Sequence, residues 1–196
     1  MSRLAIVTTF ILPGLGNSGP EHWQSYWERE DSSCRRVMQA DWDTPHIADW
    51  VRTLSIAIAD RKGPVALVAH SSSCALVAHW ARAATPEALA RVLGALLVAP
   101  SDPDGPNYPQ GPIGFSPVPL DPLPFPSIVV ASTNDIYISL AQARIYANAW
   151  GSSFVNVGAA GHINSESGLG RWAVGHALLA ALLDGMSESD AGTTDR

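Results

Sequence analysis

Short apolar runs alternate along the chain with segments in which apolar residues recur every three or four positions. A continuous apolar run of four to eight residues is typical of a buried strand, and the longer spacing is typical of an amphipathic helix. The clearest helical spacing begins after Thr44-Pro45, where Thr44 resembles an N-cap and Pro45 a first helical residue. This spacing ends at Gly63-Pro64. Its apolar positions are Ile47, Trp50, Val51, Leu54 and Ile58.

These patterns predict a sheet with helices on both sides. Strands are predicted over residues 4–12, 37–40, 65–69, 92–99, 127–131 and 153–157. Helices are predicted over residues 21–30, from 45 to the Gly63-Pro64 turn, and from the end of the third strand to about 84. Three more are predicted: one that begins at 85, one from the Ser139 capping box to 150, and one over 172–183 with Gly185 as its stop. Alternation of this kind implies a three-layer α/β/α architecture with a mostly parallel sheet of about six strands.

Length and local composition predict one domain with two atypical segments. A chain of 196 residues suits a single core, which we assign to residues 1–185. Residues 186–196 are small and polar and predict a flexible tail. Residues 100–126 hold ten of the fifteen prolines, so they predict a stiff cover loop near the strand ends rather than a strand or helix.

Charge and cysteine content narrow the possible partners. The formal net charge is −6 and the 12 Lys and Arg residues are scattered, which argues against nucleic acid and anionic membrane surfaces. The sequence shows no membrane-spanning apolar run and no secretory signal pattern. Two cysteines are too few for a disulfide framework, so we expect a reducing, cytoplasmic setting. The pattern gives no indication of oligomeric state.

Candidate chemistry lies just past the ends of the predicted strands. Ser71 follows the third strand, Asp135 the fifth and His162 the last. Ligand sites in parallel sheets form at the carboxyl ends of the strands, and Ser, Asp and His in this chain order are typical of α/β-hydrolases. A serine hydroxyl becomes nucleophilic when an imidazole takes its proton, and a carboxylate orients that imidazole. The sequence therefore predicts Ser71, Asp135 and His162 as catalytic residues.

The turn around Ser71 departs from the usual Gly-x-Ser-x-Gly pattern. With Ser71 as nucleophile the flanking positions are Ala69 and Ser73, which keep the requirement for small side chains. Choosing Ser72 would place His70 at a crowded position, and Ser73 lies too deep in the helix. Among acids, three carboxylates of the cover loop compete with Asp135; they are Asp102, Asp104 and Asp121.

The glycine-rich turn after the first strand has two interpretations. Gly14 and Gly16 provide backbone freedom to aim amides inward, so we predict an oxyanion hole from the N–H groups of Leu15 and Ser72. Gly14, His22 and Trp23 are predicted to contact substrate. The same turn matches Gly-x-Gly-x-x-Gly through Gly19, a weaker dinucleotide-binding alternative. His22, His46 and His176 show no metal-ligand spacing with each other or with a carboxylate pair, so we predict neither a metal nor a cofactor.

Five segments carry a family resemblance across most of the chain. They are PGLGNSGPEHW, DWDTPHIADWV, LVAHSSSCALVAHWA, PLPFPSIVVASTNDIYIS and GAAGHINSESGLGRW. The chain resembles the small serine hydrolases grouped with retinoblastoma-binding protein 9 and the bacterial YdeN proteins. This resemblance implies a compact α/β-hydrolase fold with Ser71 as nucleophile, Asp135 as acid and His162 as base. Bacterial members usually have Leu and Gly where Ser72 and Ser73 stand, and Pro where Ile136 stands.

The function expected from these observations is hydrolysis of a small ester or amide substrate through an acyl-enzyme. The altered elbow motivates an alternative from another class, a protein that keeps the hydrolase fold and binds a ligand or partner without turnover. Reactivity of Ser71 toward a fluorophosphonate separates the two possibilities.

Overall fold

The computed structural model describes residues 7–191, and for 186–191 it describes the backbone alone. Six strands form one sheet in the order β2-β1-β3-β4-β5-β6, and every neighbouring pair is parallel. They are β1 (Thr8–Leu12), β2 (Cys34–Arg36), β3 (Val65–His70), β4 (Val92–Val98), β5 (Ser127–Ala131) and β6 (Ser153–Asn156). The predicted parallel sheet of about six strands is confirmed.

Among residues 7–191, six α-helices cover the two faces of this sheet. They are α1 (Trp23–Glu30), α2 (Ile47–Ala59), α3 (Ser72–Ala83), α4 (Pro86–Leu89), α5 (Leu140–Trp150) and α6 (Ala173–Ala191). Alternate residues of β3 belong to different cores: Leu67 joins residues of α2, α3 and α5, whereas Val68 joins residues of α1 and α6. Because β3 is buried along its whole length, its continuous apolar run follows from the three-layer packing.

Several element boundaries differ from the sequence prediction. The second strand lies at Cys34–Arg36 rather than 37–40. Val37 still donates its N–H to the carbonyl oxygen of Ile11, but Met38 is exposed and does not continue the ladder. Helix α2 starts after His46 because Thr44 instead hydrogen-bonds to the carboxylate of Asp41.

The chain ends also differ from the prediction where they can be compared. Helix α6 continues through Gly185 to Ala191, so Gly185 is not its stop and the predicted tail begins inside a helix. The start of the first predicted strand, at residues 4–6, and the last part of the tail, at 192–196, lie outside the described residues.

The proline-rich segment 100–126 contains no helix or strand. Phe115, Val118 and Phe125 are buried in the core that also holds α2, α3 and α5, whereas Ile113 and Leu120 are half exposed. The indole N–H of Trp150 donates to the carbonyl oxygen of a proline in this segment, at 2.8 Å. Its buried apolar residues and this hydrogen bond therefore anchor the segment to the helix layer.

The strand order reverses between β1 and β3. From β1 the chain moves outward to β2, and from β3 it moves the other way to β4, β5 and β6. The loops after β1 and β3 therefore separate at the carboxyl edge of the sheet, which leaves a crevice where ligands bind in sheets of this type.

Candidate active site

The turn from β3 to α3 holds Ser71 in an unusual backbone conformation. Strand β3 ends at His70, Ser71 has φ 58° and ψ −127°, and α3 begins at Ser72. A non-glycine residue at positive φ is strained, and such strain occurs where the surrounding structure imposes it. Ala69 and Ser73, on either side of this turn, are fully buried. Ser71 is thus the residue at the tip of the sharp turn, and Ser72 and Ser73 already belong to the helix.

A line of hydrogen bonds joins the three residues that the sequence singled out. Ser71 Oγ lies 2.9 Å from His162 Nε2, and His162 Nδ1 lies 2.8 Å and 3.0 Å from the two carboxylate oxygens of Asp135. The side chain of Asp135 is fully buried and that of His162 is 10% exposed. A carboxylate accepts only, so Nδ1 carries a proton, and when Nε2 carries none it accepts the Ser71 hydroxyl. This arrangement can pass a proton from serine to imidazole.

The loops that carry Asp135 and His162 are tied to each other. The side-chain oxygen of Asn134 accepts the N–H of Gly161 at 2.7 Å and the hydroxyl of Ser132 at 2.9 Å. The carboxylate of Asp135 also accepts the N–H of Tyr137 at 2.9 Å. The distance between acid and imidazole is therefore set by backbone contacts as well as by their own hydrogen bond.

The competing acids of the cover loop lie in other interactions. Asp102 accepts hydrogen bonds from the Tyr146 hydroxyl and from the backbone N–H of Asp104. Asp104 in turn accepts the hydroxyl of Ser116, and Asp121 pairs with Arg82 on the surface. In the described structure the carboxylate that contacts the His162 ring is Asp135.

His70 forms a hydrogen bond with the backbone of the loop that carries His162. Its Nε2 lies 2.9 Å from the carbonyl oxygen of His162, and since a carbonyl only accepts, this nitrogen carries the proton. Burial, with the nearby His22 and His162 adding to it, holds the pKa of His70 well below its usual value. His70 is therefore a neutral donor that fixes the backbone of His162.

Gly14 packs directly against the nucleophile turn. A Cβ at this position would lie 2.7 Å from Ser71 Cβ and 3.1 Å from Ser71 Oγ. Its φ of −78° and ψ of −160° are open to any residue, so the predicted need for dihedral freedom is wrong for Gly14. Close approach requires this glycine, whereas Gly16, at φ 74°, uses the freedom that was expected.

The two predicted oxyanion-hole amides lie beside the same turn. Within residues 7–191, neither the Leu15 N–H nor the Ser72 N–H has a hydrogen-bond acceptor, and both residues line the cavity next to Ser71. The Ser72 hydroxyl accepts the hydroxyl of Tyr108 from the cover segment at 3.1 Å. Both amides are thus available to a ligand at Ser71.

Arg36 holds the loop that follows Gly14, a role that no pattern in the sequence indicated. Its guanidinium donates to the carbonyl oxygens of Asn17 and Ser18, at 2.6 and 3.2 Å, and to the Ser25 hydroxyl at 2.7 Å. Asn17 and Ser18 have φ of 64° and 44°, so this loop needs external support. A salt bridge to Glu28, at 2.9 Å, orients the guanidinium.

An open cavity of about 250 Å³ lies over Ser71. It is lined by residues that follow β1, β3, β5 and β6 and by residues of the cover loop at 100–126. The lining residues that matter most for the site are Leu15, His22, Ser71, Ser72, Ser101 and His162. Trp23 is not among them, because it is buried against Trp27 and Trp172 and donates its indole N–H to the carbonyl oxygen of Ile163. The prediction that Trp23 contacts substrate is therefore wrong, and Trp23 is a core residue.

His22 reaches the cavity as predicted and has an unused donor. Its Nδ1 accepts the N–H of Gln24 at 3.2 Å, so the neutral ring carries its proton on Nε2. That nitrogen is buried and has no partner in the described part of the protein. Burial, followed by the charges of Arg36 and His162, lowers the pKa of His22 to about 3, which keeps the ring neutral.

Ser101 is a site residue that the sequence patterns did not identify. Its hydroxyl oxygen lies 2.8 Å from Ser71 Oγ, and the residue is 4% exposed. The available signal was its position, three residues past the end of β4, the strand beside β3. Tyr137 was missed as well, and its ring centroid lies 4.5 Å from that of His162.

Metal-binding clusters and membrane-spanning helices are both absent from the described part of the chain. Among residues 7–191 no group of three or more His, Cys, Asp or Glu side chains is arranged to hold a metal ion. No helix in the same range is both long enough and apolar enough to cross a membrane.

Comparison with known proteins assigns this chain to a family. A family model described as serine hydrolase matches residues 9–181. A YdeN-like hydrolase of Pectobacterium atrosepticum is 32% identical, with 91% of each chain covered and a TM-score of 0.79. No match was found among curated protein sequences.

Two more distant structures show the same fold. The ydeN gene product of B. subtilis is 17% identical over 91% of this chain and 99% of its own, with a TM-score of 0.69. A thermophilic esterase of Thermogutta terrifontis is 15% identical over 88% of each chain, with a TM-score of 0.62. The predicted α/β-hydrolase fold and the YdeN-type resemblance are confirmed: this chain belongs to the serine hydrolase family.

Proposed function

We propose that this hydrolase cleaves a carboxylic ester or amide of a small molecule with Ser71 as nucleophile, His162 as base and Asp135 as the acid that orients the base. The observation that carries the proposal is the continuous line of hydrogen bonds from Ser71 Oγ through the His162 ring to Asp135. A surface serine with a chance histidine neighbour would lack the strained turn and the fully buried carboxylate.

The reaction follows from the positions of these groups. His162 takes the proton of Ser71 as Oγ attacks the carbonyl carbon, and the N–H groups of Leu15 and Ser72 receive the resulting oxyanion. His162 then protonates the leaving group, and the acyl group remains on Ser71. A water molecule, deprotonated by His162, releases the acid. Each oxyanion donor contributes roughly 3 kcal/mol to lowering the barrier in comparable sites.

Cavity size and lining favour small esters as the first substrates to test. A volume of about 250 Å³ lies below the usual range for drug-sized ligands, which begins at roughly 300 Å³. Thermogutta terrifontis and Rhodothermus marinus structures with this fold are described as esterases. We propose that Gly14 lets the ester approach Ser71 and that the ring of His22, which borders the cavity, contacts the substrate. Cys34 and Cys74 are both free and buried, which suits a reducing compartment such as the cytoplasm.

A fluorophosphonate probe tests the proposal without knowledge of the natural substrate. Wild type should be labelled covalently, S71A should not, and hydrolysis of short p-nitrophenyl esters should disappear with the label. The control is S127A, which removes a buried hydroxyl that pairs with Ser152 at the start of β5, away from the cavity, and which should keep labelling and hydrolysis. Folded wild-type protein that neither labels nor hydrolyses any ester or aminoacyl amide would instead support a binding protein without turnover.

A further inference from the structure

The hydroxyl of Ser101 contacts the reacting oxygen, Ser71 Oγ, which also contacts the His162 ring. Ser101 follows β4, and the chain turns at Ala99, whose φ is 45°, before reaching it. The N–H of Ser71 donates to the carbonyl oxygen of Val98 at 3.0 Å, which holds the nucleophile turn against the end of β4. The 2.8 Å contact between the two hydroxyl oxygens is therefore fixed by backbone on both sides.

The direction of this hydrogen bond follows from the number of protons that the His162 ring and the Ser71 hydroxyl carry. In the form of His162 that can act as base, Nδ1 donates to Asp135 and Nε2 carries no proton, so Nε2 accepts the single hydroxyl proton of Ser71. Ser71 Oγ then has no proton left for Ser101. The Ser101 hydroxyl must donate, and Ser71 Oγ must accept.

We propose that Ser101 is a further catalytic residue, which stabilises negative charge on Ser71 Oγ whenever that oxygen gains an electron pair. The proposal rests on the proposed function above. During attack, the Ser71 O–H bond breaks, the proton goes to His162 Nε2, and the electron pair of Oγ forms the bond to the carbonyl carbon. Ser101 keeps its own proton and stabilises the charge that builds on Oγ before this bond is complete.

Release of the acyl group uses the same contact in reverse. Water adds to the acyl carbon and gives its proton to His162. The bond between carbon and Ser71 Oγ then breaks, its electron pair stays on Oγ, and His162 returns the proton there. A donor already placed 2.8 Å from Oγ makes that oxygen a better leaving group without rearrangement.

The structure contains a matched control for removing one buried hydroxyl. Ser127 is also 4% exposed, and its hydroxyl forms a 2.6 Å hydrogen bond with the hydroxyl of Ser152. This second pair joins the starts of β5 and β6, at the opposite edge of the sheet from Ser71. S101A and S127A therefore remove equivalent contacts, but only the first touches the nucleophile.

The test measures fluorophosphonate labelling rate and the acylation and deacylation steps of a p-nitrophenyl ester by burst kinetics. S101A should slow all three by roughly 2- to 10-fold, the range of one neutral hydrogen bond, while S127A stays at the wild-type rates. S101C keeps the side-chain size with a weaker donor and should be slowed as well, which carries the test if S101A does not fold. Equal or faster rates in both Ser101 variants, or equal slowing in S127A, would overturn the role of Ser101. Inactive wild type would instead refute the proposed function.

Discussion

Replacing Gly14 with alanine tests whether close approach to the nucleophile is what this position requires. The added Cβ would lie 2.7 Å from Ser71 Cβ, about 0.7 Å inside the 3.4 Å at which ordinary contacts begin. It would also lie 3.0 Å from the carbonyl oxygen of His70. The φ and ψ of Gly14 suit alanine, so backbone strain adds nothing to this clash.

The clash must be relieved by moving one of two loops. Ser71 is held by its backbone bond to Val98 and by the side chains of His162 and Ser101, so its retreat would lengthen those hydrogen bonds. If the loop of Gly14 retreats, the Leu15 amide leaves the position proposed for the oxyanion. Displacements near 1 Å in such sites reduce rates by roughly 100-fold, and overpacking lowers the free energy of unfolding by about 1–3 kcal/mol. We expect G14A to fold and to lose roughly 10- to 100-fold in kcat/KM.

The assay is ester hydrolysis together with thermal unfolding, for G14A and for G63A as control. A Cβ added at Gly63 would have no heavy atom within 4 Å, and this glycine lies beyond the end of α2, away from the cavity. G63A should therefore keep wild-type rates. Wild-type activity in G14A would show that the turn and the loop separate at no cost, and that close approach is not what this position requires.

Three further predictions address the acid, the loop and pH. D135N should lower kcat roughly 10⁴-fold with a small change in melting temperature, because the amide no longer orients the proton of His162; an unchanged rate would identify a different acid. S73A should lower the free energy of unfolding by about 1–3 kcal/mol, measured by urea titration, since it leaves the Pro13 carbonyl oxygen without its 2.6 Å donor; an unchanged midpoint would contradict this. Because the pKa of His22 falls from 6.5 to about 3 on folding, the unfolded chain takes up a proton below pH 6.5 that the folded protein does not. Stability should therefore fall between pH 7 and pH 5 by about 2 kcal/mol more in wild type than in H22N, and equal losses would count against a buried neutral His22.

The parts of the site that follow from strand ends were predictable from the sequence. Ser71, Asp135 and His162 each come just after an apolar run, and parallel strands bring their carboxyl ends to one edge whatever the loops do. Ser101 was missed because it opens a proline-rich segment without periodicity, and its contact with Ser71 depends on the turn at Ala99.

Other errors arose where contacts between distant segments decide the outcome. Arg36 acts on a loop 19 residues earlier, a contact that no local pattern encodes. Trp23 follows His22 directly, and neighbours at a helix start point in different directions, so one reaches the cavity while the other fills the core. Trp23 and Trp27 are four positions apart in α1 and so share a helix face, but only packing decides what that face contacts.

The uniform direction of the six strands has a practical consequence for engineering. The segments that leave β1, β3, β4, β5 and β6 at the carboxyl edge line the cavity over Ser71, whereas the segments that enter at the amino edge do not. Peptide tags, fluorophores or surface anchors belong on that second rim, and the exposed turn at residues 60–63 is a suitable place to insert them.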